Sequence, residues 1–398
     1  MELVDGIRFI DENNIRGANV LIRVDFNVPI DETGQILDDR RIRAVLPTLN
    51  YLLDEKCRLF ILSHMGRPKG KRIPKLSLAP VAKRLSRLLE KEVVFIDDCI
   101  GDKVKTVAKS KDDVVLLENV RYYAQENENS SEFAVQIKES VNPDIYVNDA
   151  FAVSHRKHTS VYALPLLFDK NRRYAGNLMK KELLSLERLL VNPQKPFVAI
   201  VGGAKVSDKI GALKNLLSLC DKLIIGGAMA FTFLEAMGYK TGKSLVEREF
   251  ISVANEVISE ASKKGIKVYL PIDCVVAKSI EEDSIKVVPI QEIPEDYAGY
   301  DIGPATITLF SEALANAKTI VWNGPMGVFE KPQFSKGTFS MVSILANSTA
   351  YTVVGGGDTD VAIIRMGEQH RISYISTGGG AFLQVLEGKE LPGIEALK

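Results

Sequence analysis

The chain has 398 residues, with 51 Lys and Arg balanced by 51 Asp and Glu, and it is 46% hydrophobic. That composition fits a globular protein of two or three domains, and zero net charge argues against nucleic-acid or anionic-membrane binding. Four scattered cysteines (Cys57, Cys99, Cys220, Cys274) offer no metal or redox spacing, the first residues show no signal-segment pattern, and the longest uncharged stretch, 337–357, is too polar for a membrane span, so a cytoplasmic protein is expected.

Short, almost wholly apolar runs recur at 19–24, 58–62, 93–96, 114–117 and 145–147. They return at 197–201, 222–225, 266–270, 319–322, 351–354 and 373–375. Runs without polar alternation mark strands covered on both faces. Helical periods fall between them, at 41–54, 78–90, 207–219, 249–264 and 304–315. Strand–helix alternation along the whole chain predicts an α/β fold with parallel sheets. So many strands are too many for one open sheet, so two are expected. The segment 179–192 has a strong helical period, ends at Asn192-Pro193, and reads as a helix between domains.

Ligands of open parallel sheets bind beyond the carboxyl ends of the strands, so the loops after each run carry the chemistry. In the first half those loops are rich in arginine and histidine. Arg23-Val-Asp25-Phe26-Asn27 follows the first run, and Arg41 opens the next helix. Ser63-His64-Met65-Gly66-Arg67 follows the second, Glu118-Asn119-Val-Arg121 the fourth, and Asn148 through His155-Arg156-Lys-His158 the fifth. Guanidinium forks match phosphate and carboxylate and stay charged, so several at one sheet end suit a small polyanion. In the second half the equivalent loops are glycine-rich: 201–209 with Lys205 and Lys209, Gly226-Gly227, 322–330, Gly355-Gly356-Gly357-Asp358-Thr359, and 376–380. Glycine lets backbone N–H groups approach phosphate oxygens at helix N-termini, and Asp358 could hold Mg²⁺. The segment Gly238–Ser244 is one residue short of a phosphate-loop motif and follows a helical stretch, so it is set aside. An arginine half and a glycine half suit a kinase that moves a phosphoryl group between them. A different two-lobed transferase or ligase, or a non-catalytic nucleotide-binding module, remains open at this point.

The segments RVDFNVP (23–29), SHMGRP (63–68), LENVRYY (117–123), VGGAKVSDK (201–209), WNGPMGVFE (322–330), GGGDT (355–359) and STGGGA (376–381) together resemble the phosphoglycerate kinase family across nearly the whole chain. The resemblance implies reversible, Mg²⁺-dependent transfer of the acyl phosphate of 1,3-bisphosphoglycerate to ADP, giving 3-phosphoglycerate and ATP. It implies two Rossmann-like three-layer domains, each a mostly parallel sheet with helices on both faces, joined by a hinge helix around a cleft that closes on the substrates. The acid-substrate domain would span 1–178, the helix 179–192 and the nucleotide domain 193–385, with the tail 386–398 packing back on the first domain.

By position, the acid-substrate site would comprise Asp25, Phe26, Asn27, Arg41, His64, Met65, Gly66, Arg67, Arg121 and Arg156. The nucleotide site would comprise Lys205, Lys209, Gly299, Glu330, Gly356, Gly357, Asp358 and Thr359. Glu330 would receive ribose hydroxyls and Asp358 the metal, while Arg41, Lys205 and Lys209 would carry catalysis. A monomer acting on small molecules, without nucleic-acid or membrane partners, is expected. Ala152, Lys157, Tyr122 and Met65 depart from the residues more common in the family and put loop details in doubt, not the reaction.

Overall fold

The structure, a computed structural model, describes residues 3–398. The chain forms two compact units: the residues up to Leu184 together with Glu390–Lys398, and Ser185–Lys389.

The first unit runs through β1 (Asn19–Val24), α1 (Arg40–Asp54), β2 (Arg58–Leu62), α2 (Ala79–Leu89), β3 (Val94–Ile96) and α3 (Asp102–Ala108). It continues with β4 (Val114–Leu117), α4 (Ala124–Glu128), α5 (Ser131–Val141), β5 (Ile145–Asp149), β6 (Arg173–Ala175) and the start of α6 (Asn177–Leu190). Its strands form one parallel sheet in the order β3-β4-β2-β1-β5-β6. Val20, Ile22 and Val24 share a core with Ile42, Val45 and Leu49 of α1 and Val81 and Leu85 of α2, all fully buried. Each such side chain contributes roughly 1.5–3 kcal/mol of transfer free energy. Leu21 and Arg23 alternate to the other face, and Arg23 is wholly buried there. The tail docks within this unit: Gly393 N–H donates to Ser154 O at 2.8 Å, and Asn148 Nδ2 donates to Gly393 O at 3.0 Å.

In the second unit β7 (Phe197–Val201), α7 (Ile210–Leu216), β8 (Lys222–Ile225), α8 (Met229–Ala236), α9 (Ile251–Lys263) and β9 (Lys267–Tyr269) come first. Then follow β10 (Asp273–Ala277), β11 (Lys286–Pro289), β12 (Ala298–Ile302), α10 (Pro304–Leu314) and β13 (Thr319–Asn323). The unit closes with α11 (Lys336–Ala346), β14 (Tyr351–Val354), α12 (Asp358–Arg365), β15 (Tyr374–Ile375) and α13 (Gly379–Leu386). The main sheet is parallel, in the order β15-β14-β13-β7-β8-β9. Val198, Ile200, Ile320 and Trp322 pack with Phe310 of α10, Met341 of α11 and Ile363 of α12.

Some elements depart from the sequence expectation. A three-stranded antiparallel sheet, β11-β10-β12, adds to the parallel sheet of the second unit. β6 is a further three-residue edge strand. The helix expected from 207 begins at Ile210, because Ser207 turns its N–H and hydroxyl to Glu247 at 3.0 and 2.6 Å. The helix expected over 179–192 runs over Asn177–Leu190. It starts early because its first N–H groups have partners: Asn177 donates to Thr48 Oγ1 at 3.0 Å and Met179 to Asp149 Oδ1 at 2.9 Å.

In each parallel sheet the first strand lies inside, and the chain leaves it on one side and returns on the other. β1 lies between β2 and β5, and β7 lies between β8 and β13. The crevices at the carboxyl ends of these pairs are where open α/β sheets bind ligands.

Candidate active site

At the first switch point, β1 delivers Asp25 and β2 delivers His64. Asp25 Oδ2 accepts from Arg41 Nη1 at 2.6 Å, and its Oδ1 accepts from the Asn27 N–H at 2.9 Å. Arg41 stands in the first turn of α1, its side chain 41% exposed. Its neighbour Arg40 turns instead to Asp38. Asn27 Oδ1 accepts from the Gly66 N–H at 2.8 Å, and the Phe26 N–H donates to Ser63 Oγ at 2.8 Å, so the two loops hold each other. Behind them runs a buried chain of polar groups. Arg23 Nε donates to Ser160 Oγ at 2.8 Å, and Ser160 donates to Glu126 Oε1 at 2.6 Å. Arg23 Nη2 lies 3.2 Å from His64 Nδ1.

Arg121, on the turn after β4, is buried. Its Nη1 donates to Gly66 O at 2.8 Å, but its Nε is buried without a partner. Burial and then the Arg23 charge pull its pKa down to about 10. Arg67 and Arg156 are exposed, and their side chains have no hydrogen-bond or ion-pair partner among the described residues. Burial followed by the charge of Arg23, Arg121 and Arg41 holds His64 well below the usual histidine range. Burial and Arg121 bring His158 to about 3, and burial and Arg156 bring His155 to about 4. The locus is therefore cationic through arginine alone, with neutral imidazoles between. An unpaired buried guanidinium N–H in such a field is a place for an anion.

At the second switch point the glycine loops interlock. Gly202 N–H donates to Asn323 O and Gly203 N–H to Pro325 O, both at 2.9 Å. Gly203 and Gly227 have φ of +103° and +67°, and a Cβ on Gly227 would lie 2.6 Å from Gly203 O, so only glycine fits this approach. Beside them opens a cavity of about 480 Å³, lined by Gly203, Ala204, Gly227, Phe231, Gly299, Met326, Val328, Glu330 and Asp358. Its mainly apolar walls suit a base. A Cβ on Gly299 would press into the Phe231 ring, 2.9 Å from its Cε atoms. Lys209 Nζ donates to Asn323 Oδ1, and burial lowers its pKa against the pull of Asp208 and Asp358. Lys205 and Glu330 are exposed. α12 opens on Gly356, Gly357 and Asp358, with Thr359 Oγ1 accepting from the Gly324 N–H at 2.9 Å. Asp358 is exposed at this helix N-terminus. No group of three His, Cys, Asp or Glu side chains converges as a metal site among the described residues. A cation held by Asp358 would therefore take its other ligands from water and from a phosphate.

Of the expected acid-site residues, the structure brings Asp25, Asn27, Arg41, Gly66 and Arg121 into one hydrogen-bonded group, with His64 Nδ1 3.8 Å from Asp25 Oδ1. Phe26 and Met65 contribute through their backbones, the Met65 carbonyl accepting from Asn119 Nδ2 at 2.8 Å. Lys157 stacks on Tyr162, 4.5 Å from the ring centre, and Tyr122 donates its hydroxyl to Ile73 O at 2.6 Å. Sequence reasoning named neither Glu126 and Ser160 behind Arg23 nor Phe231 in the cavity. Lys243, in the segment set aside as a false phosphate loop, also lines that cavity, and Ser244 Oγ accepts from the Gly299 N–H at 2.9 Å. That segment follows α8, not a strand, and does not form a phosphate loop.

A family model described as phosphoglycerate kinase matches residues 10–389. A phosphoglycerate kinase of Geobacter sp. (strain M21) is 58% identical over 396 residues, covering 98% of both chains. One of Aquifex aeolicus (strain VF5) is 52% identical over 382 residues, covering 95% of both. Among solved structures, phosphoglycerate kinase from Coxiella burnetii superposes with a TM-score of 0.88 at 42% identity, and that from Pyrococcus horikoshii OT3 with 0.85 at 31%, each covering 98% of both chains.

Proposed function

The chain belongs to the phosphoglycerate kinase family and catalyses its glycolytic reaction, reversible phosphoryl transfer between 1,3-bisphosphoglycerate and ADP; from that premise we propose how its own residues divide the work. The arginine group of the first unit holds the phosphorylated acid: Arg67, Arg121 and Arg156 take anionic oxygens, with Asn27 and the Gly66 region supporting them. The observation that carries this reading is the buried, unpartnered Nε of Arg121 among further arginines, which calls for an anion.

Arg41, aimed by Asp25, meets the negative charge of the transferring phosphoryl. A carboxylate leaves an acyl phosphate without needing a proton, and in reverse it attacks without losing one. Histidines held neutral agree with that. Catalysis then rests on positioning and charge.

In the second unit the apolar cavity takes the base of ADP or ATP, Glu330 the ribose, and the N–H groups at the start of α12 together with Lys205 and Lys209 the phosphates. Mg²⁺ would be held by Asp358, whose exposed carboxylate has no hydrogen-bond or ion-pair partner among the described residues, and when bound it neutralises phosphate charge. We place the protein in the cytoplasm as a monomer without nucleic-acid partners, the last supported by its charge balance. No helix among the described residues is long and apolar enough to cross a membrane. The test is the initial rate of ATP formation from 1,3-bisphosphoglycerate and ADP with Mg²⁺. Turnover dependent on all three is expected, and its absence would contradict the reading.

A further inference from the structure

The loop leaving β2 carries, beyond Arg67 of the acid-binding group, positive charge that neither binding group uses. Arg67, Lys69, Lys71, Arg72 and Lys75 stand within nine residues with no acid among them, and all are exposed. Arg72 is engaged, 3.3 Å from Asp98 and donating to Asp97 O at 2.7 Å. The side chains of Lys69, Lys71 and Lys75 have no partner among the described residues.

The loop that bears them is held at several points. Asn119 Nδ2 donates to Met65 O at 2.8 Å and to Leu76 O at 2.9 Å, tying its two ends together. Gly70 N–H donates to Arg121 O at 3.3 Å, and Tyr122 Oη to Ile73 O at 2.6 Å. The segment that fixes the loop, 119–122, is the one that presents Arg121. The lysines are thus kept beside the acid-binding arginines, where spare positive charge has no structural use and costs self-repulsion.

We propose that Lys69, Lys71 and Lys75 form a fixed cationic apron that draws the phosphorylated acid substrate toward the arginine group by long-range attraction. This rests on the acid-binding role given above to the first unit. Exposed charges act over about 10 Å at 0.1 M salt, and a field of one sign around a site raises the local concentration of an oppositely charged ligand. The apron's contribution is therefore salt-dependent, whereas the buried arginines are screened far less.

The test is calorimetric titration of 3-phosphoglycerate into the full-length protein and its Lys69→Gln/Lys71→Gln/Lys75→Gln variant, from roughly 20 to roughly 300 mM ionic strength. A Lys105→Gln/Lys109→Gln/Lys111→Gln variant removes equal charge, with Lys109 and Lys111 just before β4, at the amino ends of the parallel strands, opposite to the carboxyl ends from which the 67–75 loop leaves. The loop variant is expected to bind roughly three- to tenfold more weakly at low salt, to converge on the parent at high salt, and to keep kcat within about twofold. The control is expected to follow the parent. A loop variant with the parent's salt dependence, or a control that weakens equally, overturns the proposal. If the parent itself fails to bind 3-phosphoglycerate, the acid-site reading falls and the apron with it.

Discussion

Nη2 of Arg23 lies 3.2 Å from Nδ1 of His64. A guanidinium only donates, so Nδ1 accepts and the imidazole carries its proton on Nε2. Burial and three neighbouring arginines keep that ring neutral. The expected ¹⁵N spectrum of His64 is that of a neutral Nε2–H tautomer throughout the range in which an ordinary histidine, with a pKa of about 6.5, takes up its proton. A titration near that ordinary value, or an Nδ1–H signature, would contradict the arrangement.

Acid should destabilise the fold through the same histidines. Their folded pKa values are depressed, so as pH falls below about 6.5 the unfolded chain binds protons that the folded chain refuses, and stability drops at up to about 1.4 kcal/mol per pH unit for each. Asp149 and Asp301, which burial pushes up to about 7, act in the opposite sense by taking protons in the folded state first. Comparing slopes isolates one group. Denaturant titration of His158→Gln between about pH 6.5 and 4 should show a slope shallower by about 1.4 kcal/mol per pH unit than the parent; an unchanged slope would assign His158 an ordinary pKa.

Asn119→Asp removes both amide donors that tie the 65–76 loop and sets a carboxylate against the Met65 and Leu76 carbonyls. Stability should fall by about 2–5 kcal/mol for two lost buried hydrogen bonds with unmatched acceptors. The KM for 3-phosphoglycerate should rise at least tenfold while that for ATP stays near the parent's. Equal effects on both substrates would show a general loosening instead of a local one.

Asp358→Asn keeps the shape of the α12 N-terminus and removes its anionic oxygen. The expected outcome is a shift of the Mg²⁺ dependence of ATP formation to at least tenfold higher metal concentration, with the affinity for metal-free ADP little changed. An unaltered Mg²⁺ response would remove Asp358 from the metal's surroundings.

The two parallel sheets were legible because strands buried on both faces, such as Val114–Leu117 and Phe197–Val201, are unbroken apolar runs. The antiparallel sheet was not. β11 is largely exposed, begins with Lys286 and ends on Pro289, while β12 contains Gly299 and Asp301. Their pairing comes from tertiary contact with β10, not from any local pattern. The loops that carry the site were legible by position, just past the strands. The support beneath them was not: Glu126 and Ser160 lie over a hundred residues from Arg23 in sequence, and nothing in an Arg within an apolar run says which acid balances it.

On the proposed reading, the acid and the nucleotide are bound by separate residue sets in separate units. Arg41, 2.6 Å from Asp25, belongs to the first, and Gly299, against the Phe231 ring, to the second. Calorimetric titration of 3-phosphoglycerate and of ADP into Arg41→Ala and Gly299→Ala tests this directly. Arg41→Ala should weaken the acid by tenfold or more, lower kcat by orders of magnitude and leave ADP binding within about twofold, as loss of one charge-assisted contact implies. Gly299→Ala should show the reverse. A loss of ADP binding in Arg41→Ala matching its loss of acid binding would contradict the account.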